Sequence, residues 1–508
     1  MSERYDSIVL GASIDGLAAA CSLAAKGRSV LVLDPLESPG AAAGRIEFHP
    51  GFKTPGLFLD TAHTRRGLLS SLNLETRGLT WRTEEAPLHV PTGSEGTLEL
   101  HADPERMATE LSAKDHPGDA DAYQKWSERL QRYAPILAEL IDDAPPDPAD
   151  QSLGEMLHLG MRALSVRRLG QQDMHELVRV APLPAADWMN ENFECEALKT
   201  GLTAPALFGS VLGPRAAGTA ALMLLRSATR GSGPAGGPAA LVDALVACLE
   251  SSGGKLRLGV PPAALELGGD GVEGVVLEGG DRIDTKLVLS ALDPKRTFLD
   301  LLGPASIDMD VEKIAMNWRM RGSHAVLLLA LSEAPAFQRA ISASSLVELE
   351  KTSDHLKYGR LAEPIWVQAD VPSADDSSLA PEGSAVLVLV AHGIPHGLRG
   401  GWNAEADGAL EASMLSALER IAPGCASRIV GKDLMNPLDI ERRFGLGGGH
   451  PHAGELSLDQ LWLQRPGLQL SRYATPIPGL FLGGSSSHPG GPFLAGAGIL
   501  AARKALSR

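Results

Sequence analysis

Residues 5–34 constrain the fold more than any other part of the chain. Tyr5-Asp6-Ser7-Ile8-Val9-Leu10 is a short apolar run that reads as a buried strand, and Gly11-Ala12-Ser13-Ile14-Asp15-Gly16 follows it directly. An alanine-rich helix then extends to about Lys26-Gly27, and Val30-Leu31-Val32-Leu33-Asp34 reads as a second strand. Strand, glycine turn, helix and strand ending in an acid form a dinucleotide-binding βαβ unit. That unit commits this end of the chain to a parallel sheet covered by helices.

The rest of the chain fits around such a sheet. At 508 residues it is too long for one simple core, and two or three domains are expected. A second strand–glycine loop–helix pattern closes the sequence: Gly479-Leu480-Phe481-Leu482-Gly483-Gly484, then Ser485-Ser486-Ser487-His488-Pro489-Gly490-Gly491, then Ala495–Leu506. The two termini therefore build one domain, with the middle inserted between its parts. Within that middle, residues 115–169 read as mostly helical and polar, with loops around Asp142–Pro148. Leu207–Ser227 reads as one buried helix near a substrate or subunit contact, and Ala239–Ser251 as an amphipathic helix. Short strands are expected at Leu256–Gly259, Gly274–Glu278, Lys286–Leu289, Ala325–Leu331, Ile365–Ala369 and Ala385–Ala391.

Charge and cysteine usage exclude several functions. The net charge is −16 and no Lys/Arg block forms a phosphate-tracking stripe, so nucleic acid is not an expected partner. No apolar run reaches about 18 residues, so no transmembrane helix is expected. The first strand begins within five residues of Met1, which leaves no room for a signal peptide, and the expected location is cytoplasmic. Cys21, Cys195, Cys248 and Cys425 form no C-x-x-C pair, which excludes a thioredoxin-like dithiol and any metal centre built on one.

Beyond the fingerprint, several stretches carry a family pattern. They include Phe193-Glu194-Cys195-Glu196-Ala197-Leu198-Lys199, Gly213-Pro214 with Gly218-Thr219-Ala220, and Ala291-Leu292-Asp293-Pro294-Lys295-Arg296-Thr297-Phe298. Lys357-Tyr358-Gly359, Ser378-Leu379-Ala380-Pro381 and Pro437-Leu438-Asp439-Ile440-Glu441 belong to it too. So do Gly454-Glu455-Leu456-Ser457-Leu458-Asp459-Gln460-Leu461, Thr475-Pro476-Ile477-Pro478-Gly479-Leu480 and His488-Pro489-Gly490-Gly491. Taken together, nearly end to end, the chain resembles the phytoene-desaturase-like branch of the FAD-dependent amine oxidase superfamily. Within it, the chain is most similar to the group named after pyridine nucleotide-disulphide oxidoreductase domain-containing protein 2.

The resemblance implies an α/β fold: a Rossmann-like FAD-binding domain assembled from discontinuous segments, plus an inserted mixed α+β substrate domain. The FAD parts would be residues 1–75, 235–300 and 471–508, and the substrate parts 76–234 and 301–470. It further implies a flavin-dependent desaturase or dehydrogenase acting on an apolar or amphipathic small molecule held in a tunnel lined by small residues. The cofactor contacts would be Gly11, Ser13, Gly16, Asp34, Gly40, Gly484, Ser485, His488, Gly490 and Gly491.

Four departures fall on that cofactor. Ser13 stands where a glycine lets the backbone approach the diphosphate. Asp15 places a carboxylate at the helix N-terminus, where two unit charges about 4 Å apart repel by about 4 kcal/mol at an effective dielectric near 20; alternatively it caps its own helix. Gly40-Ala41 replaces a glycine doublet, and the arginine expected just before it is replaced around Ser38-Pro39. Pro262, in the segment expected to bind the adenine edge, has no N–H to donate. These departures keep a second reading open: a catalytically silent paralogue, structural or regulatory, paired as a homo- or hetero-oligomer with a related flavoprotein.

Other residues have plainer readings. His450-Pro451-His452 is expected in a surface loop, with any acid/base role of His452 in question. Lys357-Tyr358-Gly359 is either a turn or part of the substrate lining, and Arg215 meets an anionic substrate, caps a helix or contacts a partner. Trp366 and Trp402 are expected in the core, and Glu348–Lys351 and Asp375-Asp376 in solvated loops.

Overall fold

The computed structural model describes residues 3–93, 96–147 and 152–507. Ser7–Leu10 forms strand β1, Ile14–Ala24 helix α1 and Val30–Leu33 strand β2. Every residue of both strands is buried, as continuous apolar strands of a sheet covered on both faces must be. They form the centre of a five-stranded parallel sheet. Its order is Leu480–Leu482, Val288–Ser290, β1, β2, Lys255–Arg257. Segments far apart in sequence thus meet in one sheet, with α1 packed between the helices Gly237–Ser251 and Gly496–Leu506.

Close backbone approach holds α1 in place. A Cβ on Gly16 would stand 2.0 Å from the Gly11 carbonyl oxygen, and one on Gly498 would stand 1.8 Å from the Asp15 carbonyl oxygen. Only glycine lets α1 sit this close to its own turn and to the C-terminal helix.

A seven-stranded sheet forms the second layer. Its order is Ile429–Met435, His324–Leu331, Ala385–His392, Val367–Asp370, Arg339–Ile341, Leu88–Pro91, Thr97–Leu100. All neighbours are antiparallel except Arg339–Ile341 with Leu88–Pro91. The runs HAVLLLAL and AVLVLVAH pair residue for residue from His324↔His392 to Leu331↔Ala385, and each is buried throughout. Helix Pro117–Asp142 packs against helices Pro104–Ala113 and Thr219–Thr229 and buries Tyr123, Trp126, Leu130, Tyr133, Leu137 and Ile141, a stripe at helical spacing.

Most expected elements form within two or three residues of their predicted limits. Two do not form as expected. Leu207–Ser227 is not one helix: Glu196–Ala206 and Thr219–Thr229 are separate helices joined by a turn through Gly209, Gly213 and Gly218. Glu348–Lys351 lies within helix Leu346–Lys357, where Glu348 accepts from the Ser344 amide and pairs with Arg420 at 3.0 Å. The loop after residue 142 is seen as far as Asp147, and Pro148 lies outside the described residues. All four cysteines are buried and free.

Candidate active site

The turn from β1 into α1 opens onto a cleft. Ser13, Ile14, Asp15, Gly40–Ala43, Phe58–Asp60, Ser485, Pro492 and Leu494 form part of its wall. Ser13 caps α1, its Oγ accepting from the Gly16 amide at 3.3 Å. The amides of Ser13, Ile14 and Asp15 donate to no acceptor among the described residues. Three unpaired N–H groups at the positive end of a buried helix are the donor set a diphosphate requires.

The Asp15 carboxylate does not oppose that set. Its Oδ2 accepts from Ser485 Oγ at 2.8 Å and its Oδ1 from the Gly498 amide at 3.4 Å. The expected repulsion of phosphate is tempered accordingly: Asp15 borders the cleft, but its carboxylate is tied to the N-terminus of the C-terminal helix, and Ser13, not Asp15, caps α1. Burial raises its pKa to about 6, against the Ser485 hydroxyl, the Gly498 amide and the charge of Arg465.

The other predicted contacts are divided between wall and scaffold. Ser13, Gly40 and Ser485 line the cleft. Asp34, at the end of β2, is buried, with Oδ2 accepting from the Ala12 amide at 2.6 Å and Oδ1 from the Leu36 amide at 2.8 Å. Each oxygen keeps a lone pair for a ribose hydroxyl. Gly11 and Gly16 shape the turn behind the wall. Gly484 packs against the Ala291 carbonyl, Gly490 against Arg465 and Gly491 against Leu456. His488 directs Nε2 to the Asp143 carbonyl at 3.1 Å, away from the cleft, and burial lowers its pKa to about 3.

The sequence departures leave visible marks. Ala41 holds φ +48°, the left-handed conformation that the missing glycine would adopt without strain. The 40–43 turn brings no cation, and the cleft takes its positive charge from Arg226 and Arg339. Pro262 opens a strand opposite Leu277, and the nearby Val260 amide is already donated to the Asp34 carbonyl. The free volume of the cleft is about 130 Å³, below the 300–1,000 Å³ of ordinary ligand sites.

Sequence reasoning missed three features. His450-Pro451-His452 is not a surface loop: both imidazoles are buried, His452 lines the cleft, and they pack with His324, His392 and Phe208. Trp366 stacks on His392 at 3.8 Å. Burial holds these imidazoles neutral, with His324 and His450 lowered to about 3. The signal was present in the two buried strands, one of which begins and the other ends with a histidine.

The second feature is Arg465. Wholly buried, it donates to the carbonyls of Ser485, Glu455, Gln460, His452 and Gly454 and so fixes the 485 loop. The third is an ionic cluster. Arg226 donates to Asp60 at 2.6 Å, Arg230 pairs with Glu85, and Arg339 lies between Glu85 at 3.3 Å and Asp370 at 3.4 Å. A lone arginine inside the apolar run TAALMLLRSAT was its legible sign.

Behind this cluster lies a cavity of about 370 Å³, within the ordinary ligand range. Pro205, Arg226 and Arg339 line both it and the cleft, so the two spaces adjoin. Of the open sequence readings, Lys357 and Gly359 border a separate wide cleft, while Arg215 is exposed, its amide held by Glu350.

A dinucleotide cleft on a parallel sheet, joined to an internal cavity, defines a flavin-dependent oxidoreductase. The flavin containing amine oxidoreductase family matches residues 89–505, and an NAD(P)-binding Rossmann-like domain matches residues 9–63. The chain belongs to the flavin containing amine oxidoreductase family.

It is 28% identical to pyridine nucleotide-disulfide oxidoreductase domain-containing protein 2 of Rattus norvegicus, over 99% of this chain and 93% of that one. It is 24% identical to the neurosporene-forming phytoene desaturase of Rhodobacter capsulatus, over 98% and 93%. In fold it is similar to an oxidoreductase from Methanosarcina mazei, with TM-score 0.59, 15% identity and coverage of 99% and 100%. A putrescine oxidase variant gives TM-score 0.61, 13% identity and coverage of 100% and 99%. The cofactor is FAD and the activity is oxidoreduction of the desaturase type; the silent-paralogue reading is not favoured. Among the described residues, no helix is long and apolar enough to cross a membrane.

Proposed function

We propose that the chain oxidises an apolar or amphipathic small molecule bound in the 370 Å³ cavity, with its reacting end at the adjoining cleft. The observation that carries this reading is the shared wall of Pro205, Arg226 and Arg339. FAD supplies the two-electron chemistry when bound, and the protein supplies position and water exclusion. The amides of Ser13, Ile14 and Asp15 would hold its diphosphate and Asp34 its ribose. Gly40 and Ser485 would border it, while Gly11, Gly16, Gly484, His488, Gly490 and Gly491 shape the surrounding turns.

The proposed division is 1–75, 235–300 and 471–508 for the FAD domain, with 76–234 and 301–470 for the substrate domain; the mixed origin of the parallel sheet supports it. Four free cysteines support a reducing, cytoplasmic setting. Helix Leu153–Arg168 leaves Leu153, Met156, Leu157 and Met161 more than half exposed, which supports an oligomer.

The test is uptake of FAD by the purified protein, followed by anaerobic reduction. The expected result is a yellow protein whose visible flavin band bleaches with substrate. A colourless protein that takes up no added FAD would overturn the reading.

A further inference from the structure

The cavity beside the flavin cleft is not uniformly apolar. One side is formed by Leu88, Leu100, Tyr123, Trp126, Leu130 and Leu202, and the side nearest the cleft carries Arg226, Arg230 and Arg339. Among the described residues, Glu85 is the one carboxylate on its wall; Asp60 and Asp370 pair with arginines from the cleft side. The three guanidiniums are matched in number by Glu85, Asp60 and Asp370, but Asp60 and Asp370 stand behind them, so the face turned to the cavity carries three guanidiniums and Glu85.

Hydrogen-bond accounting points the same way. Three guanidiniums offer about fifteen N–H donors. Among the described residues they make five hydrogen bonds to protein acceptors. Arg339 is held loosely, by contacts of 3.3 Å and 3.4 Å, while Arg226 is nearly sealed from solvent. Water reaches Arg230, but a dry apolar substrate would leave the spare donors of Arg226 and Arg339 facing hydrocarbon, a costly arrangement where solvent is excluded. A carboxylate would satisfy it through paired, charge-assisted hydrogen bonds of the kind guanidinium forms best.

We propose that the substrate is an amphipathic anion: an apolar body seated against Tyr123, Trp126 and Leu130, with a carboxylate held among Arg226, Arg230 and Arg339. This deepens, and rests on, the reading of the cavity as the substrate site. Because Arg226 and Arg339 stand on the wall shared with the cleft, the carboxylate lies at the cleft end of the molecule. The C–H bond to be oxidised then lies within a few bonds of it.

Calorimetric titration of the full chain, as purified and after FAD loading, with decanoate, decanol and decylamine tests this. Decanoate is expected to bind at least about tenfold more tightly than decanol, with decylamine weakest, and its affinity should fall as salt rises. Arg230, the most exposed of the three with 35% of its side chain open, can be replaced with least risk to folding. Arg230→Met should weaken decanoate about tenfold and leave decanol unchanged.

Equal binding of decanoate and decanol, preference for decylamine, or no decanoate binding would each overturn the proposal, and all three are read on the unaltered protein. Flavin reduction separates this proposal from the one beneath it. Selective decanoate binding to a protein that takes up no FAD defeats the oxidoreductase reading and keeps the anion site. A flavin reduced by uncharged apolar compounds, with no preference for the acid, does the reverse.

Discussion

Mild acid should destabilise this protein, and the size of the effect follows from six imidazoles. His63, His324, His392, His450, His452 and His488 are all buried, and burial lowers every one: four to about 3, and His392 and His452 well below the ordinary 6.5. At pH 6 the folded chain keeps them neutral while the unfolded chain protonates most of them. The unfolded state thus binds more protons, and stability falls as pH falls through about 6.5.

Each histidine contributes about 0.7 kcal/mol between pH 7 and pH 6, about 4 kcal/mol for the set. Asp15, raised to about 6, acts in the opposite sense, because the folded state then holds a proton that the unfolded state has lost. It returns less than about 0.5 kcal/mol over the same interval. Asp34, Asp293 and Asp370, also raised by burial, act in the same direction as Asp15. A net loss near 4 kcal/mol is a large part of the 5–15 kcal/mol typical of native proteins. Urea midpoints at pH 7 and pH 6 at constant ionic strength would show the loss, and a pH-stat at pH 6 should record uptake of about four protons per chain on unfolding. Uptake below about one proton, with an unchanged midpoint, would refute the claim that these imidazoles are buried and neutral.

Two substitutions test the cleft itself. Ala41→Gly relieves a left-handed alanine and should raise stability by about 0.5–1 kcal/mol, read as a higher urea midpoint; a lower midpoint would show that the turn does not hold that conformation. Asp15→Asn keeps an acceptor for the Gly498 amide, lets its NH2 donate to the Ser485 hydroxyl, and removes a buried charge. It should therefore stabilise by about 2 kcal/mol at pH 7.5 and lose that advantage near pH 4. FAD affinity should change less than about threefold, because the carboxylate faces the C-terminal helix; a hundredfold gain would restore the repulsion argument.

Local patterns made the scaffold legible. Apolar runs of four to eight residues became strands of the two sheets, and the glycine turn at 11–16 led into α1, because these depend on neighbours in sequence. Chemistry between distant segments was not legible. Asp15 was read as a charge aimed at a phosphate because the sequence gives its position on α1 but not the Ser485 and Gly498 groups that meet it. His450 and His452 looked like loop residues because proline and glycine surround them, and only the fold shows them seated with His324 and Phe208. Arg226 was legible as an oddity in an apolar helix, yet its role depends on Asp60, 166 residues away.

The same comparison changes what a damaged fingerprint means. Ser13 and Asp15 read as losses against the dinucleotide pattern. In the folded chain one caps α1, and the other joins α1 to the C-terminal helix that carries the far side of the cleft. A glycine at 13 would free the diphosphate approach but remove a helix cap, and an alanine at 15 would remove a tie between segments 470 residues apart. Asp15 thus ties together parts of a domain assembled from scattered segments, and Ser13 gives α1 a cap where the pattern has a glycine.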